Sequence, residues 1–234
     1  MRKIAFSIVL PCYNEAQNLP LILEGYRKVW RESCELVLVN NGSTDNSAQV
    51  LGQELAKKEN TFARSVLVPV NQGYGYGVMA GVRAAKGEVI GISHADMQCP
   101  PTDLFCAYDL LGENKNAIVK GKRGKREFSA LVVTVGMATI ATSVLMMLLT
   151  DVNAQPKVFP RSLVEYMTEP PNGFELDLYI LYSARKLKWK VLELPVVFGK
   201  RAHGTSKWAF SLASRRRHMW ATLKYIFRLR FSHA

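Results

Sequence analysis

The chain has 234 residues, 48% of them hydrophobic, and a formal net charge of +12. It is therefore long and apolar enough to bury a core, which excludes a disordered chain and predicts one large domain or a domain with an appendage. The basic excess lies in residues 185–234, with 13 lysines and arginines against one acid, whereas residues 1–184 are neutral. This distribution favours a C-terminal segment that meets a polyanionic surface, either a membrane or a nucleic acid.

The N-terminal residues and the cysteines indicate a cytoplasmic setting. The apolar run 4–10 stops at Pro11 and has no cleavage site after it, so we expect a first buried strand and no signal peptide. The cysteines lack CxxC spacing, which favours a reducing compartment. They are Cys12, Cys34, Cys99 and Cys106.

Apolar runs alternate with amphipathic stretches in the first half of the chain. We expect buried parallel strands at 4–10, 35–40, 65–69, 88–93 and 117–120. Helices are expected at about 18–32, 45–59, 75–86 and 101–113. This alternation predicts an α/β fold with a Rossmann-like, mostly parallel, doubly wound sheet and helices on both faces.

The segment 94–98 follows the fourth predicted strand, where an open α/β sheet binds ligands. Alternate side chains of an extended segment point to one side, so His94, Asp96 and Gln98 can converge on one cation. A cation there would hold a diphosphate. The alternative is a plain turn, because Pro100 and Pro101 follow.

Three more loops at predicted strand ends carry polar or glycine-rich motifs. They are PCYNE (11–15), NNGSTD (40–45) and NQGYGYG (71–77). The glycines permit close backbone approach to a phosphate or a sugar. A nicotinamide oxidoreductase is disfavoured, because its glycine fingerprint belongs in the first βα turn and not after the third strand.

In this order, PCYNE, NNGSTD, NQGYGYG and HADMQ resemble the donor half of family 2 glycosyltransferases of the GT-A fold, and above all the dolichyl-phosphate mannose synthase branch. Five later motifs resemble the acceptor half of that branch: KGKR (120–123), DVNAQPKVF (151–159), NGFELD (172–177), ELPVVFGKR (193–201) and HGTSK (203–207). The resemblance implies a catalytic domain at 1–207, with a donor half at about 1–117 and an acceptor half at about 118–207. A tail at 208–234 follows.

The resemblance implies that a nucleoside-diphosphate sugar binds to the first four loops. The implied donor-binding residues are Pro11, Tyr13, Glu15, Asn40, Asn41, Asn71, Gly75, Ala95 and Asp96. Glu15 would accept hydrogen bonds from ribose hydroxyls, unless it only occupies the first turn of a helix. The family usually has two aspartates where this chain has Asn40 and Asn41, so the donor stays open between a UDP-linked and a GDP-linked sugar.

The resemblance also implies a divalent cation, Mn²⁺ or Mg²⁺, on His94, Asp96 and Gln98, which would neutralise the leaving diphosphate. The family has an aspartate at the position of His94. Because Mn²⁺ tolerates imidazole better than Mg²⁺ does, this exchange leans towards Mn²⁺. Alternatively, His94 is a core histidine whose hydrogen bonds are made with the backbone.

The implied acceptor and phosphate site is cationic, although a solvated run of charges is the alternative. Its residues are Lys122, Arg123, Arg126, Ser129, Arg201, Ser206 and Lys207. The implied catalytic residues are Asp96, Asp177, Arg126 and Arg201. In relatives with hydroxyl acceptors an acid at the position of Asp177 is the general base, but a phosphate acceptor is already anionic and needs little help.

Two segments predict membrane association. Residues 128–150 carry no charge and are long enough to span a bilayer. Spanning would divide one active site between two sides, so we expect helices that lie in the interface or pack on the domain. In the tail, Met219, Trp220, Leu223, Ile226 and Phe227 recur at helical spacing between cations. This pattern is typical of a basic amphipathic helix on anionic lipid; core packing and RNA binding are the alternatives.

The resemblance, together with the two membrane-associating segments, implies an inverting, metal-dependent transfer of a sugar to a polyprenyl (dolichyl or undecaprenyl) phosphate at the cytoplasmic face of the membrane. The alternative is transfer to a saccharide hydroxyl of a surface glycan, with Asp177 as base. The expected partners are the nucleoside-diphosphate sugar, the lipid phosphate and an anionic membrane surface. No nucleic acid is expected, because residues 1–184 are neutral.

Overall fold

The computed structural model describes residues 3–124, 128–199, 201–203 and 212–231, without the side chains of 128–134, 212 and 215. Within these ranges seven strands form one sheet. They are β1 (Phe6–Cys12), β2 (Cys34–Asn41), β3 (Ala63–Val68), β4 (Val89–Ile92), β5 (Ala117–Arg123), β6 (Lys157–Pro160) and β7 (Lys190–Val196). The helices are α1 (Leu19–Val29), α2 (Ser47–Leu55), α3 (Tyr74–Ala84), α4 (Pro101–Leu111), α5 (Phe128–Leu145), α6 (Ser162–Glu165), α7 (Leu176–Lys186) and α8 (Leu212–Phe231).

The strand order is β3-β2-β1-β4-β6-β5-β7. Strands β3, β2, β1 and β4 are parallel to one another, and β5 is parallel to β7. Strand β6 lies between β4 and β5 and is antiparallel to both. The carboxyl ends of the other six strands and the amino end of β6 therefore meet at one edge of the sheet.

The predicted α/β fold class with a mostly parallel sheet is confirmed, as are the five predicted strands and the four helices between them. The predicted helix 45–59 is shorter, because α2 ends at Leu55 and a separate 3₁₀ turn covers Lys58–Asn60. Strands β6 and β7 were not predicted. The first has only four residues and starts with a lysine, and the second carries Lys190 and Glu193 on an edge of the sheet.

The core lies on both faces of the sheet. Alternate residues of β1 point to opposite sides, so Ile8 packs with α1 and α4 while Val9 packs with α3 and α7. Each large side chain that is fully buried contributes about 1.5–3 kcal/mol to folding. The two cores hold the sheet edge, and the loops on it, in one rigid frame.

Helices α5 and α8 contact each other and pack on the core that contains Val9. Helix α5 contributes Ala141 and Leu145 to that core, and α8 contributes Ile226 and Leu229. The predicted apolar stripe of the tail is therefore split, because Trp220 and Phe227 stay exposed. None of the helices, over the residues described, combines the length and the hydropathy that crossing a bilayer requires.

Candidate active site

The metal motif follows β4 at the common edge of the sheet. It is not extended throughout, since Met97 has a φ of 62° and the backbone N–H of Gln98 donates to Oδ1 of Asp96 over 3.1 Å. The segment is thus a side-chain-capped turn as well as a cluster of potential ligands. The amide nitrogen of Gln98 donates to the carbonyl oxygen of Gly199 over 3.0 Å, which ties the motif to the segment after β7.

Asp96 is only 4% exposed, and its Oδ2 lies 2.9 Å from Nη2 of Arg201. A buried carboxylate needs a positive partner, and here that partner is the guanidinium of Arg201. Over the described residues, no three His, Cys, Asp or Glu side chains cluster in a way that could hold an ion. The candidate set is instead one carboxylate, one imidazole and the Gln98 amide, which fits Mn²⁺ and, without the imidazole, Mg²⁺.

His94 is half-buried, and its ring centroid lies 5.7 Å from that of Tyr74. Burial is the largest influence and lowers the pKa of His94, and the nearby cations Lys157 and Arg201 act in the same direction against Asp96 and Asp177. The imidazole is therefore neutral near pH 7, which is the form that ligates metals.

Replacing His94 by Asp tests whether the imidazole is a ligand. The variant should keep sugar transfer and shift its preference from Mn²⁺ towards Mg²⁺, because it restores an all-oxygen site. Rates are measured over a titration of each metal, with His203→Asp as the control for an exposed histidine. An unaltered ratio of Mn²⁺ to Mg²⁺ activity would put His94 outside the metal's ligands.

The first two loops brace each other. Oδ1 of Asn14 accepts from the backbone N–H of Thr44 over 2.8 Å, and the hydroxyl of Ser47 accepts from the backbone N–H of Glu15 over 3.0 Å.

Pro11 lies near the end of β1, and Tyr13 follows it at the same edge. Glu15 lies before α1 and accepts a hydrogen bond from the amide of Asn18, so it is not inside the helix. The donor-binding roles of these residues stay predictions.

The asparagines of the donor loops are tied into turns. Oδ1 of Asn40 accepts from the N–H of Ser43 over 3.1 Å, and Oδ1 of Asn71 accepts from the N–H of Gly73 over 2.8 Å. The amide of Asn41 donates to the carbonyl of Gly73 over 3.0 Å. Asn40 and Asn41 are buried. They thus fix the shape of the loops that the donor is predicted to meet.

The glycine-rich loop is packed against the NGFELD segment. A Cβ on Gly75 would lie 2.2 Å from the carbonyl oxygen of Pro171 and 2.7 Å from that of Gly173. Glycine is therefore required there by contact with another loop, whatever its predicted role towards the donor. Ala95, also predicted to bind the donor, is buried beside the metal motif.

The acid of the acceptor half, Asp177, lies in the first turn of α7 and is 4% exposed. Its Oδ1 accepts from Nζ of Lys157 over 2.6 Å and from Nε2 of Gln155 over 3.0 Å. The same Nε2 lies 3.3 Å from the hydroxyl of Tyr74, whose ring contacts His94. The donor and acceptor halves therefore meet through these side chains.

Two predicted phosphate ligands have acidic partners. Nζ of Lys122 lies 2.8 Å from Glu193, and the guanidinium of Arg123 pairs with Asp151. Partial burial raises the pKa of Glu193, but hydrogen bonds from Lys122 and Lys120 outweigh it and lower the pKa to about 2. Arg126, Ser206 and Lys207 lie outside the described residues, as does the side chain of Ser129.

The segment after β7 lies across both the first loop and the metal motif. The carbonyl of His203 accepts from the amide of Asn18 over 3.4 Å, while Arg201 pairs with Asp96. Arg201 was predicted as a phosphate ligand, and nothing in the sequence around it indicates this ion pair. No role was predicted for Lys157, Gln155 or Tyr74, although a lysine inside the apolar run QPKVF was an available signal.

Residues 7–131, the half of the chain that carries the donor loops and the metal motif, match the family model described as Glycosyl transferase family 2. The chain belongs to glycosyltransferase family 2. The resemblance inferred from the motifs is thereby confirmed.

Within this family, the chain is similar to undecaprenyl-phosphate 4-deoxy-4-formamido-L-arabinose transferases. The protein from Photorhabdus laumondii is 31% identical over 212 residues, and that from Proteus mirabilis is 28% identical over 211. Each match covers 87% of this chain and 63% of the relative, so the chain spans less than two thirds of the length of these relatives.

Solved structures of glucosyl-3-phosphoglycerate synthase from Mycobacterium tuberculosis share the fold. The complex with Mn²⁺ and UDP-glucose aligns with a TM-score of 0.72 at 18% identity, over 95% of this chain and 78% of the other. The complex with Mg²⁺ and UDP aligns with a TM-score of 0.71 at 19% identity, over 95% and 79%. At this level of identity the likeness establishes the GT-A fold of this family 2 member.

Proposed function

We propose that this chain transfers a sugar from a nucleoside-diphosphate sugar to a polyprenyl phosphate in cell-envelope glycan synthesis, with inversion at the anomeric carbon. One observation carries the choice of acceptor: Asp177 is already held by the buried ammonium of Lys157. Its Oδ1 already accepts from two donors, Nζ of Lys157 and Nε2 of Gln155, so that oxygen is occupied before a sugar hydroxyl arrives. A phosphate needs no such base, because it arrives ionised. The names of the undecaprenyl-phosphate relatives support the same choice.

A divalent cation would supply neutralisation of the leaving diphosphate. Asp96 would hold it through its carboxylate, Gln98 through its amide oxygen and His94 through an imidazole nitrogen. Arg201 would then exchange its partner, from Asp96 to a phosphate oxygen, because guanidinium suits phosphate recognition. The acceptor phosphate would attack the anomeric carbon from the side opposite the leaving group.

A direct assay tests this function. Purified protein is incubated with Mn²⁺ or Mg²⁺, vesicles that contain undecaprenyl phosphate, a water-soluble oligosaccharide as competing acceptor, and a panel of radiolabelled UDP- and GDP-linked sugars. Label that enters the organic phase with one of these donors is the expected result. Transfer only to water-soluble saccharides would contradict the lipid-phosphate acceptor and favour the hydroxyl acceptor.

We also propose that the exposed side of α5 and α8 lies on an anionic membrane at the cytoplasmic face. Met146 and Leu148 after α5 and Trp220, Phe227 and Phe231 on α8 are exposed large apolar side chains. Exposed cations flank these residues along α8, namely Arg216, Arg217, Lys224 and Arg228. Apolar anchors interleaved with cations are typical of helices that bind anionic lipid.

Replacing both Trp220 and Phe227 by Ala should weaken binding to vesicles with phosphatidylglycerol by about tenfold or more, because two aromatic anchors are lost. Binding is measured by cosedimentation, and thermal unfolding checks that the fold persists. The control is Leu67→Ala, which removes another exposed apolar side chain, on the edge strand β3. Equal binding of the double variant and the control would contradict the membrane surface.

A further inference from the structure

Lys157 is a buried cation that pairs with Asp177. No role was predicted for it from the sequence. Because β6 runs antiparallel to its neighbours, its first residue lies at the edge where the other strands end. The side chain is 0% exposed, and Nζ lies 2.6 Å from Oδ1 of Asp177 and 3.2 Å from the carbonyl of Ala154. Burial lowers the pKa of Lys157, while the charge and hydrogen bond of Asp177 oppose that effect.

The pair lies next to the metal motif and not in a remote part of the core. Gln155 bonds Oδ1 of Asp177 and reaches the hydroxyl of Tyr74, and the ring of Tyr74 contacts His94. Asp177 and Lys157 both act electrostatically on His94. An uncompensated negative charge on Asp177 would therefore change the electrostatic potential at His94 and the metal motif, since charges interact strongly in a buried setting.

We propose that Lys157 selects the class of acceptor by neutralising Asp177, so that the site admits an anionic phosphate and withholds a base from neutral nucleophiles. The inference rests on the proposed function. An unpaired carboxylate at Asp177 would repel the incoming phosphate. Oδ1 of the same carboxylate already accepts from Nζ of Lys157 and Nε2 of Gln155, so this oxygen is occupied when a neutral nucleophile arrives.

The competing nucleophile is water, whose reaction shows what Lys157 suppresses. Water attacks the anomeric carbon, forming a carbon–oxygen bond while the bond from that carbon to the diphosphate oxygen breaks. The proton of the attacking water passes to the carboxylate of Asp177, and the nucleoside diphosphate leaves with the electron pair. The product is the free sugar, so hydrolysis and transfer can be counted separately from one labelled donor.

The experiment measures the ratio of lipid-linked product to free sugar in five variants of the full chain, one of them Asp177→Asn alone. Lys157→Met should lower this ratio at least tenfold, because it frees Asp177 both to repel phosphate and to assist water. Lys157→Arg retains a cation and should stay within about threefold of the unaltered chain. Lys157→Met combined with Asp177→Asn should recover most of the ratio, since the uncompensated charge is gone. The matched control is Arg64→Met, which removes a cation from another buried carboxylate, Glu35, at the opposite edge of the sheet, and should leave the ratio unchanged.

The outcomes separate a role in selection from a structural one. A folded Lys157→Met with an unchanged ratio, or a double variant no better than Lys157→Met, would overturn the inference. If Lys157→Met does not fold, the double variant and Asp177→Asn are the test. Both lack the carboxylate, so each should keep a ratio within about threefold of that of the unaltered chain. A ratio tenfold lower in either variant would overturn the inference. If the unaltered chain makes no lipid-linked product, the proposed function is refuted. If it makes that product but Lys157→Met has the same ratio of lipid-linked product to free sugar, only the role of Lys157 is refuted.

Discussion

Asp96→Asn is expected to lower sugar transfer by about a thousandfold or more while leaving the fold intact. The amide cannot supply the negative charge that holds the cation, and loss of stabilisation of the leaving diphosphate costs about 4 kcal/mol in the transition state. Single-turnover transfer and Mn²⁺ binding by electron paramagnetic resonance are measured on the same preparation. Both should be lost together.

Asp109→Asn is the matched control for this change. Asp109 also pairs with an arginine, Arg31, but far from the site and in an exposed position. Its replacement should alter transfer less than twofold, because exposed ion pairs contribute little to stability. Full transfer by Asp96→Asn, or full transfer by the unaltered chain in excess chelator, would remove the metal from the mechanism.

The second large effect concerns Arg201. With a phosphate acceptor, Arg201→Ala removes a charge-assisted phosphate contact, worth about 1.5–3 kcal/mol or roughly one to two decades in rate. Asp177→Asn should be milder, because no base is needed. With a saccharide hydroxyl the order reverses, since losing a general base costs on the order of a hundredfold or more.

The two variants are compared for single-turnover transfer, with donor affinity measured separately by calorimetry. Arg31→Ala serves as the control for an arginine whose carboxylate partner lies outside the site. A crippled Asp177→Asn beside a nearly normal Arg201→Ala would overturn the polyprenyl-phosphate acceptor. Arg126 and Lys207 were predicted to act with Arg201, and the same assay extends to them.

Local patterns in the sequence were sufficient to predict the strands and helices that carry the site. Apolar runs of strand length between amphipathic stretches are set by residues near one another, so the first five strands and their helices could be predicted. The motif at 94–98 could be predicted as a ligand segment because strand ends are where an open sheet binds ligands. The order of the motifs was sufficient to predict the family and its GT-A fold.

The partners of the charged side chains depended on the tertiary structure. Lys157 and Asp177 are 20 residues apart in sequence and meet only because β6 enters the sheet antiparallel. Nothing local to Arg201 indicates that it lies on Asp96, or that Arg123 pairs with Asp151. Periodicity predicts which face of an element is buried, but the strand order decides which element it meets, and an ion pair within a few ångströms depends on that order. For the same reason the stripe on α8 predicted an amphipathic helix, while only the packing showed that Ile226 faces the core and Trp220 faces outward.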